Sequence, residues 1–425
     1  MSSPVRKCGN PDQPYDVAVI GLGYIGLPTA AMFAGAGCLV AGVDISERAV
    51  KSVNSGELHF EEEGLSELVS RCVQSGALRA YLEPVRARNF IIAVPTPVDH
   101  ATHEPDISHV MAAGRSIASV LEKGNLVILE STSPVGTTRR LATLLANLRP
   151  DLKFPVEGED NPDVHFAYCP ERIIPGRILE EFVNNDRIIG GMTSSCTRQA
   201  KALYQKLVKG ACHETDDRTA ELCKLVENSY RDVNIAFANE LSMICGDIGL
   251  DPWKVIELAN HHPRVNILNP GPGVGGHCIA VDPWFIVSVA PDRARLIRTA
   301  REVNDEKPRY VIEKINEAME LHCGNAKIAC LGLTYKADAD DFRESPALYV
   351  AKILTKRYPG RVICTDPFHH ALRHMGIGND LEIVQDTMDA IKNADIVVML
   401  VGHSRYREIS RPKDKVVVDT IGFWK

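Results

Sequence analysis

The chain has 425 residues, 45% of them hydrophobic and 24% charged, with a formal net charge of −7. That length predicts two or three domains with cores large enough to need no disulfide staples. The negative balance, without a dense Lys/Arg block, argues against a dedicated nucleic-acid binder, and no stretch approaches the ~18 uninterrupted apolar residues of a membrane span.

Twelve cysteines occur without a CxxC pair, which fits a reducing, cytoplasmic compartment. There is no HExxH and no Cys/His cluster with zinc spacing, so no metal is expected. Residues 1–14 are polar and contain prolines, without the apolar core of a signal peptide, and read as a loose tail. A β-rich run at 16–20 leads into GLGYIG at 21–26, a small-residue helix to about 35, and a second strand at 39–44. Together these form a βαβ unit. Further strands are expected at 90–94, 126–130, 165–168 and 187–189, with helical patterns between them, which predicts a parallel sheet covered on both faces. From 219 the pattern turns helical, with helices expected at 219–246, 251–260 and 293–304. A second α/β block begins near 327, with strands at 328–333, 362–365, 396–401 and 416–419. Its helix at 346–356 has Ser345 as N-cap and Pro346 at the first helical position. The fold class expected is α/β, with two Rossmann-like doubly wound parallel-sheet domains joined by a central helical region. Only the first of them carries a glycine fingerprint.

Gly21, Gly23 and Gly26 form GxGxxG between a strand and a helix, and Asp44 ends the next strand. In that setting the pattern is specific for a dinucleotide. The first glycine makes the turn, the second admits the pyrophosphate and the third lets helix and strand pack, while the helix N-terminus supplies N–H donors. Asp44 suits ribose hydroxyls and repels a 2′-phosphate, favouring NAD over NADP, although Arg48 could pair with that phosphate. Thr96 and Thr132 follow strand ends, where a cofactor lies in open parallel sheets; a purely structural role is the alternative. Ser133 reads as a helix cap before Pro134. A second GxGxxG, at Gly271, Gly273 and Gly276, follows Asn269-Pro270 instead of a strand and reads as an open loop that admits substrate.

That loop ends at Cys278. A thiol can hold an oxidised carbon as a thioester. The chemistry expected is a primary alcohol oxidised to an aldehyde, attack by Cys278 to give a thiohemiacetal, a second oxidation to the thioester, and hydrolysis to the acid. The reference thiol pKa of ~8.5 calls for a nearby cation. Lys224, Asn228 and Arg231 fall at i, i+4 and i+7 on one helix face. Lys224 can favour the thiolate and steady an alkoxide, Asn228 can hold water or an oxyanion, and Asp282 is a candidate base. Glu171, past another strand end, can position water. The alternatives are a solvated stripe in which Lys224 pairs with Glu221 and Glu227, and Cys278 as a small buried hydrophobe. A dehydrogenase that stops after two electrons, and a non-catalytic NAD sensor, remain open on these residues alone.

GLGYIG, VPTP, ESTSPVG, CPER, KLVEN, GPGVGGHC and TYKADADDFRES together resemble the UDP-glucose/GDP-mannose dehydrogenase family over nearly the whole chain after the tail. The stretches 262–270 and 298–305 resemble the subgroup acting on UDP-N-acetyl-D-mannosamine. The resemblance implies oxidation of C6 of that UDP-sugar to the uronate with two NAD, UDP-N-acetylglucosamine or UDP-glucose being the alternative substrates. It implies Cys278 as nucleophile and Lys224 as acid/base or oxyanion partner. Arg172, Ile173, Asn228, Arg231, His262, Arg264, Gly275 and Lys336 would touch substrate. Tyr24, Ile25, Asp44, Arg48, Thr96, Thr132 and Arg343 would touch NAD. Salt bridges from Lys336 and Arg343 to Asp338, Asp340 or Asp341 are the competing reading of those two cations. The blocks become a tail (1–14), an NAD-binding domain (15–210), a helical dimerisation and catalytic region (211–323) and a UDP-sugar-binding domain (324–425). A homodimer is implied, its partner completing the site through Arg264. Ile421 departs from the subgroup pattern, which often has a basic residue in the last strand-to-turn segment.

Overall fold

The computed structural model describes residues 14–58, 62, 64–99, 101–156, 161–173, 176–322 and 325–425, so all but the last residue of the expected tail lies outside the described residues. They fall into two compact units: one runs to 226 and includes 284–289, the other comprises 227–283 and 290–425.

The first unit contains β1 (Tyr15–Ile20), α1 (Gly26–Gly35), β2 (Val40–Val43), α2 (Glu47–Asn54), α3 (Leu65–Gln74), β3 (Leu78–Tyr81), β4 (Ala87–Ile92), α4 (Ser108–Ile117), β5 (Leu126–Leu129), α5 (Thr137–Leu148), β6 (His165–Tyr168), α6 (Ile178–Asn184), β7 (Arg187–Gly191), α7 (Ser194–Tyr204) and β8 (Cys212–Asp216). Its strands lie in the order β3-β2-β1-β4-β5-β6-β7-β8. β1 is apolar without alternation because helices cover both faces of the sheet. Val17 and Val19 enter one core with Leu27 and Phe33; Ala18 and Ile20 enter the other with Phe90 and Leu141. The pairing of β6 with β7 is antiparallel, a departure from the all-parallel expectation. β3 and β8 were not expected from the sequence. β8 reads CHETD and is largely exposed at the sheet edge, so no apolar run marks it.

α8 (Asp217–Asp247) is one continuous helix of 31 residues. It is followed by α9 (Pro252–Asn260), α10 (Asp282–Val289) and α11 (Arg295–Leu321). α11 runs 17 residues beyond the expected end at 304, passing through Pro308. Proline removes one ladder bond, but Val311, Ile312, Ile315 and Met319 bury in the core of the second sheet, and that packing carries the helix onward.

The second sheet comprises β9 (Ile328–Leu331), β10 (Val362–Thr365), β11 (Glu382–Ile383), β12 (Ile396–Met399) and β13 (Val416–Asp419), with α12 (Pro346–Arg357), α13 (His369–His374) and α14 (Thr387–Lys392) between them. All its pairings are parallel, in the order β11-β10-β9-β12-β13. That is the order of β3-β2-β1-β4-β5, so the two sheets repeat one another. Ser345 caps α12 as expected, accepting from Leu348 N at 3.2 Å. Among the described residues no helix is long and apolar enough to cross a membrane.

Candidate active site

The turn after β1 has the geometry of a dinucleotide corner. Gly21 has φ +96°, and a Cβ there would lie 2.4 Å from the carbonyl oxygen of Ala93, while a Cβ on Gly26 would lie 1.9 Å from that of Gly21. A Cβ on Gly23 would meet only open space, which leaves room for phosphates over the start of α1. The Asp44 carboxylate accepts from Leu22 N and Ser46 N, each at 2.8 Å, and stays half-buried at the end of β2. Donor-rich turn, open second glycine and fixed acid together fit NAD. Tyr24 and Ile25 are half-buried beside this turn and Arg48 is exposed. Ile45 is 94% exposed directly after Asp44 and offers an apolar surface for a flat base; a lone isoleucine in sequence carries no such signal.

Thr96 Oγ1 donates to the Thr132 carbonyl at 2.6 Å, tying together the loops after β4 and β5. Ser133 does not cap a helix. Its hydroxyl donates to Ser131 O at 2.9 Å, and α5 begins only at Thr137. The cap comes from α8 instead, where the buried Glu221 carboxylate accepts from Gly136 N, Thr138 N and Thr138 Oγ1 at 2.5–2.8 Å. Glu221 is therefore no surface partner for Lys224.

Lys224 is 7% exposed, which removes the solvated-stripe reading. Burial pushes the Glu171 carboxyl up to about 7, with Lys224 and then Arg187 pulling the other way. The ammonium and this carboxyl thus interact electrostatically within the first unit. Glu171 Oε1 also accepts from Ile173 N, and Arg172 donates to Asp186 O at 3.1 Å.

The second unit holds Asn228, Cys278 and Asp282. Cys278 is exposed, unlike an inert core thiol. Its carbonyl accepts from Val281 N at 3.1 Å and Asp282 N at 2.8 Å, a tight turn that leads into α10. The Asp282 side chain is 2% exposed and accepts from Asn228 Nδ2 at 2.5 Å, so α8 fixes the acid that follows the cysteine.

The glycines before Cys278 serve protein packing. A Cβ on Gly273 would lie 2.9 Å from Pro346, on Gly275 2.5 Å from the Glu344 carbonyl, and on Gly276 2.9 Å from the Tyr335 ring. The space read from sequence as access for substrate is filled by the segment after β9.

Arg231, His262 and Arg264 are exposed. Arg343 grips Asp341 through two bonds of 2.8 and 2.6 Å, as the competing salt-bridge reading expects. Lys336 is exposed, and no ion pair to it occurs among the described residues. Ile421 packs against the core of the second sheet.

Three models of the UDP-glucose/GDP-mannose dehydrogenase family match in succession: the NAD binding domain at 15–208, the central domain at 218–306 and the UDP binding domain at 329–425. The chain is 51% identical over 418 residues to the UDP-N-acetyl-D-mannosamine dehydrogenase of Escherichia coli (strain K12), covering 96% of this chain and 99% of that relative. It is 52% identical over 411 residues to an NDP-N-acetyl-D-galactosaminuronic acid dehydrogenase of Ralstonia nicotianae, covering 96% of both. A solved UDP-D-ManNAc dehydrogenase from Pyrococcus horikoshii superposes with a TM-score of 0.85 at 36% identity, covering 96% of each chain.

Proposed function

The chain belongs to the UDP-glucose/GDP-mannose dehydrogenase family, and from that premise we propose that it oxidises C6 of UDP-N-acetyl-D-mannosamine to the carboxylate. Bound NAD would supply the hydride acceptor for each of the two oxidations. Asp44 and the Gly21–Gly26 turn would hold its ribose and pyrophosphate. Tyr24, Ile25, Arg48, Thr96 and Thr132 would complete that contact. Arg172, Ile173, Arg231, His262 and Lys336 would contact the UDP-sugar.

Cys278 Sγ bonds to the aldehyde carbon formed in the first oxidation. Lys224 donates to the developing alkoxide, and Asn228 and Asp282 orient the hydroxyl and later the water. Water cleaves the thioester, with Glu171 taking its proton, and the thiolate leaves. The observation that carries this reading is the exposed Cys278 thiol on a turn that leads to the buried Asp282, itself held by the half-buried Asn228. A reducing compartment suits a reaction that needs this thiol intact.

The test is NADH release with a panel of UDP-sugars. Two NADH per sugar and a uronate product are expected with UDP-N-acetyl-D-mannosamine; one NADH with an aldehyde product would overturn the covalent route. The relative at 52% identity favours a second reading, an N-acetylgalactosamine nucleotide, and that sugar belongs in the panel.

Glu171 sets a pH dependence. As the base it must be ionised, so the hydrolytic step is expected to rise with pH through about 7. The raised carboxyl also withdraws stability. From the ordinary 4.5 to about 7 the folded chain binds more protons than the unfolded chain, so this group's contribution falls as pH rises. Glu171→Gln is expected to lower acid formation by about 10²-fold or more yet raise Tm at pH 8. A lower Tm with an unshifted pH profile would contradict both roles.

α8 exposes Leu222, Val226, Tyr230, Phe237 and Ile244. Spacings of four and seven place all five on one side of the helix, an exposed apolar stripe. The stripe supports a homodimer, with Arg264 of one chain completing the site of the other. Sedimentation at micromolar concentration is expected to show dimers, and monomers alone would remove this claim.

A further inference from the structure

We infer that His403 is a positioning residue for the nucleotide-sugar end of the site, locking the segment 334–338 that carries Lys336. That Lys336 meets the nucleotide rests on the function proposed above. The lock itself stands on geometry.

The two sheets repeat each other at their first turns. Gly21 and Gly332 both have positive φ, +96° and +83°. Gly21 N donates to Val43 O at 2.7 Å, and Gly332 N to Thr365 O at 2.9 Å. Asp44 accepts from Leu22 N at the end of β2, and Asp366 accepts from Leu333 N at 2.6 Å at the end of β10. Asp366 is thus the structural counterpart of the acid that faces ribose in the first sheet. The counterparts differ in what covers them. Asp44 is half-buried, whereas Asp366 is 2% exposed and His403, itself fully buried, sits against it. Thr334 stands where the first turn has the open Gly23.

The bonds around His403 fix one tautomer. Asp338 N donates to Nδ1 at 3.0 Å, and a backbone amide cannot accept, so Nδ1 carries no proton. Thr334 Oγ1 donates to Lys336 O at 2.9 Å and therefore accepts from the ring. Nε2 then bears the hydrogen, directed at Asp366 Oδ2 and Thr334 Oγ1, both at 3.2 Å. Phe368 and Tyr406 pack against the imidazole, with ring centroids 5.7 and 5.4 Å away. Ser404 adds a clamp, donating from N and Oγ to Asp338 Oδ1 at 2.9 Å each. Asp338 is held there at φ +58°, a left-handed conformation that a non-glycine residue adopts only when its surroundings fix it.

Lys336 therefore lies between two anchors, Thr334 and Asp338, both tied to one imidazole. Tyr335 in the same segment packs on Gly275 and Gly276. His403 fills what is an open cofactor corner in the first sheet and turns its acid into an internal strut.

The test compares His403→Asn with His403→Gln. Asparagine places an oxygen where Nδ1 stood and keeps the acceptor for Asp338; glutamine reaches Asp366 but loses that acceptor. Hydrogen exchange in a peptide spanning 334–344 is expected to speed up about tenfold in His403→Gln, with β12 unchanged and His403→Asn close to wild type. The KM for the UDP-sugar should rise about tenfold in His403→Gln while the NAD KM and kcat stay within about threefold. Equal exchange in the two variants, or exchange raised throughout the second sheet, would overturn the lock. Equal rises in both KM values would overturn its role at the sugar end. A wild-type chain that turns over no UDP-sugar would defeat the proposed function and leave the exchange comparison to decide the lock.

Discussion

Cys278→Ser is expected to form no uronate at a meaningful rate, with a fall of at least about 10³-fold in acid production. The dinucleotide corner is built from residues 21–44 and their neighbours, so NAD affinity should be unchanged. A serine hydroxyl is a poor nucleophile without a dedicated base, and no thioester can form. The first oxidation does not need the thiol, so a slow release of one NADH per sugar should persist, with aldehyde or its hydrate as product. The substitution is nearly isosteric at an exposed position, so Tm should hold. Acid formation at the wild-type rate would show that the sulfur forms no bond to substrate.

Lys224→Ala is expected to lower kcat by about 10²- to 10⁴-fold, since in the proposed reaction Lys224 supplies the donor to charge that appears only in the transition state. A second consequence separates this from simple loss of packing. Lys224 is the foremost charge holding the Glu171 carboxyl down against burial. Without it the carboxyl ionises less readily, so the rising limb of the remaining activity should move to higher pH. A fall in kcat with an unmoved limb would mean that the two groups do not share an environment. Activity within about threefold of wild type would remove Lys224 from the mechanism.

Features whose causes are local were legible in the sequence. GLGYIG, the acid at Asp44 and the Ser345-Pro346 start of α12 each depend on a few neighbouring residues, and each forms as expected. Buried parallel strands show as short apolar runs for the same reason. Features set by distant partners were not legible. The N-terminus of α5 is capped by Glu221, more than eighty residues away, so Ser133 was the plausible but wrong choice. The glycines at 273, 275 and 276 are needed because Pro346, Glu344 and Tyr335 occupy the space where side chains would be. β8 is polar at a sheet edge, and the extension of α11 past Pro308 is decided by the core it packs against. His403 gives no signal in sequence, since its hydrogen-bond partners come from two other strand ends, after β9 and β10.

The most direct measurement is the mass of the peptide containing Cys278 after acid quench. Glu171→Gln slows release of the acid without touching the sulfur, so the quench is made on that variant during turnover with NAD and UDP-N-acetyl-D-mannosamine. The predicted result is a Cys278 peptide carrying the oxidised sugar nucleotide as a thioester, which hydroxylamine removes. An unmodified Cys278 peptide from enzyme that is releasing uronate would contradict the covalent route.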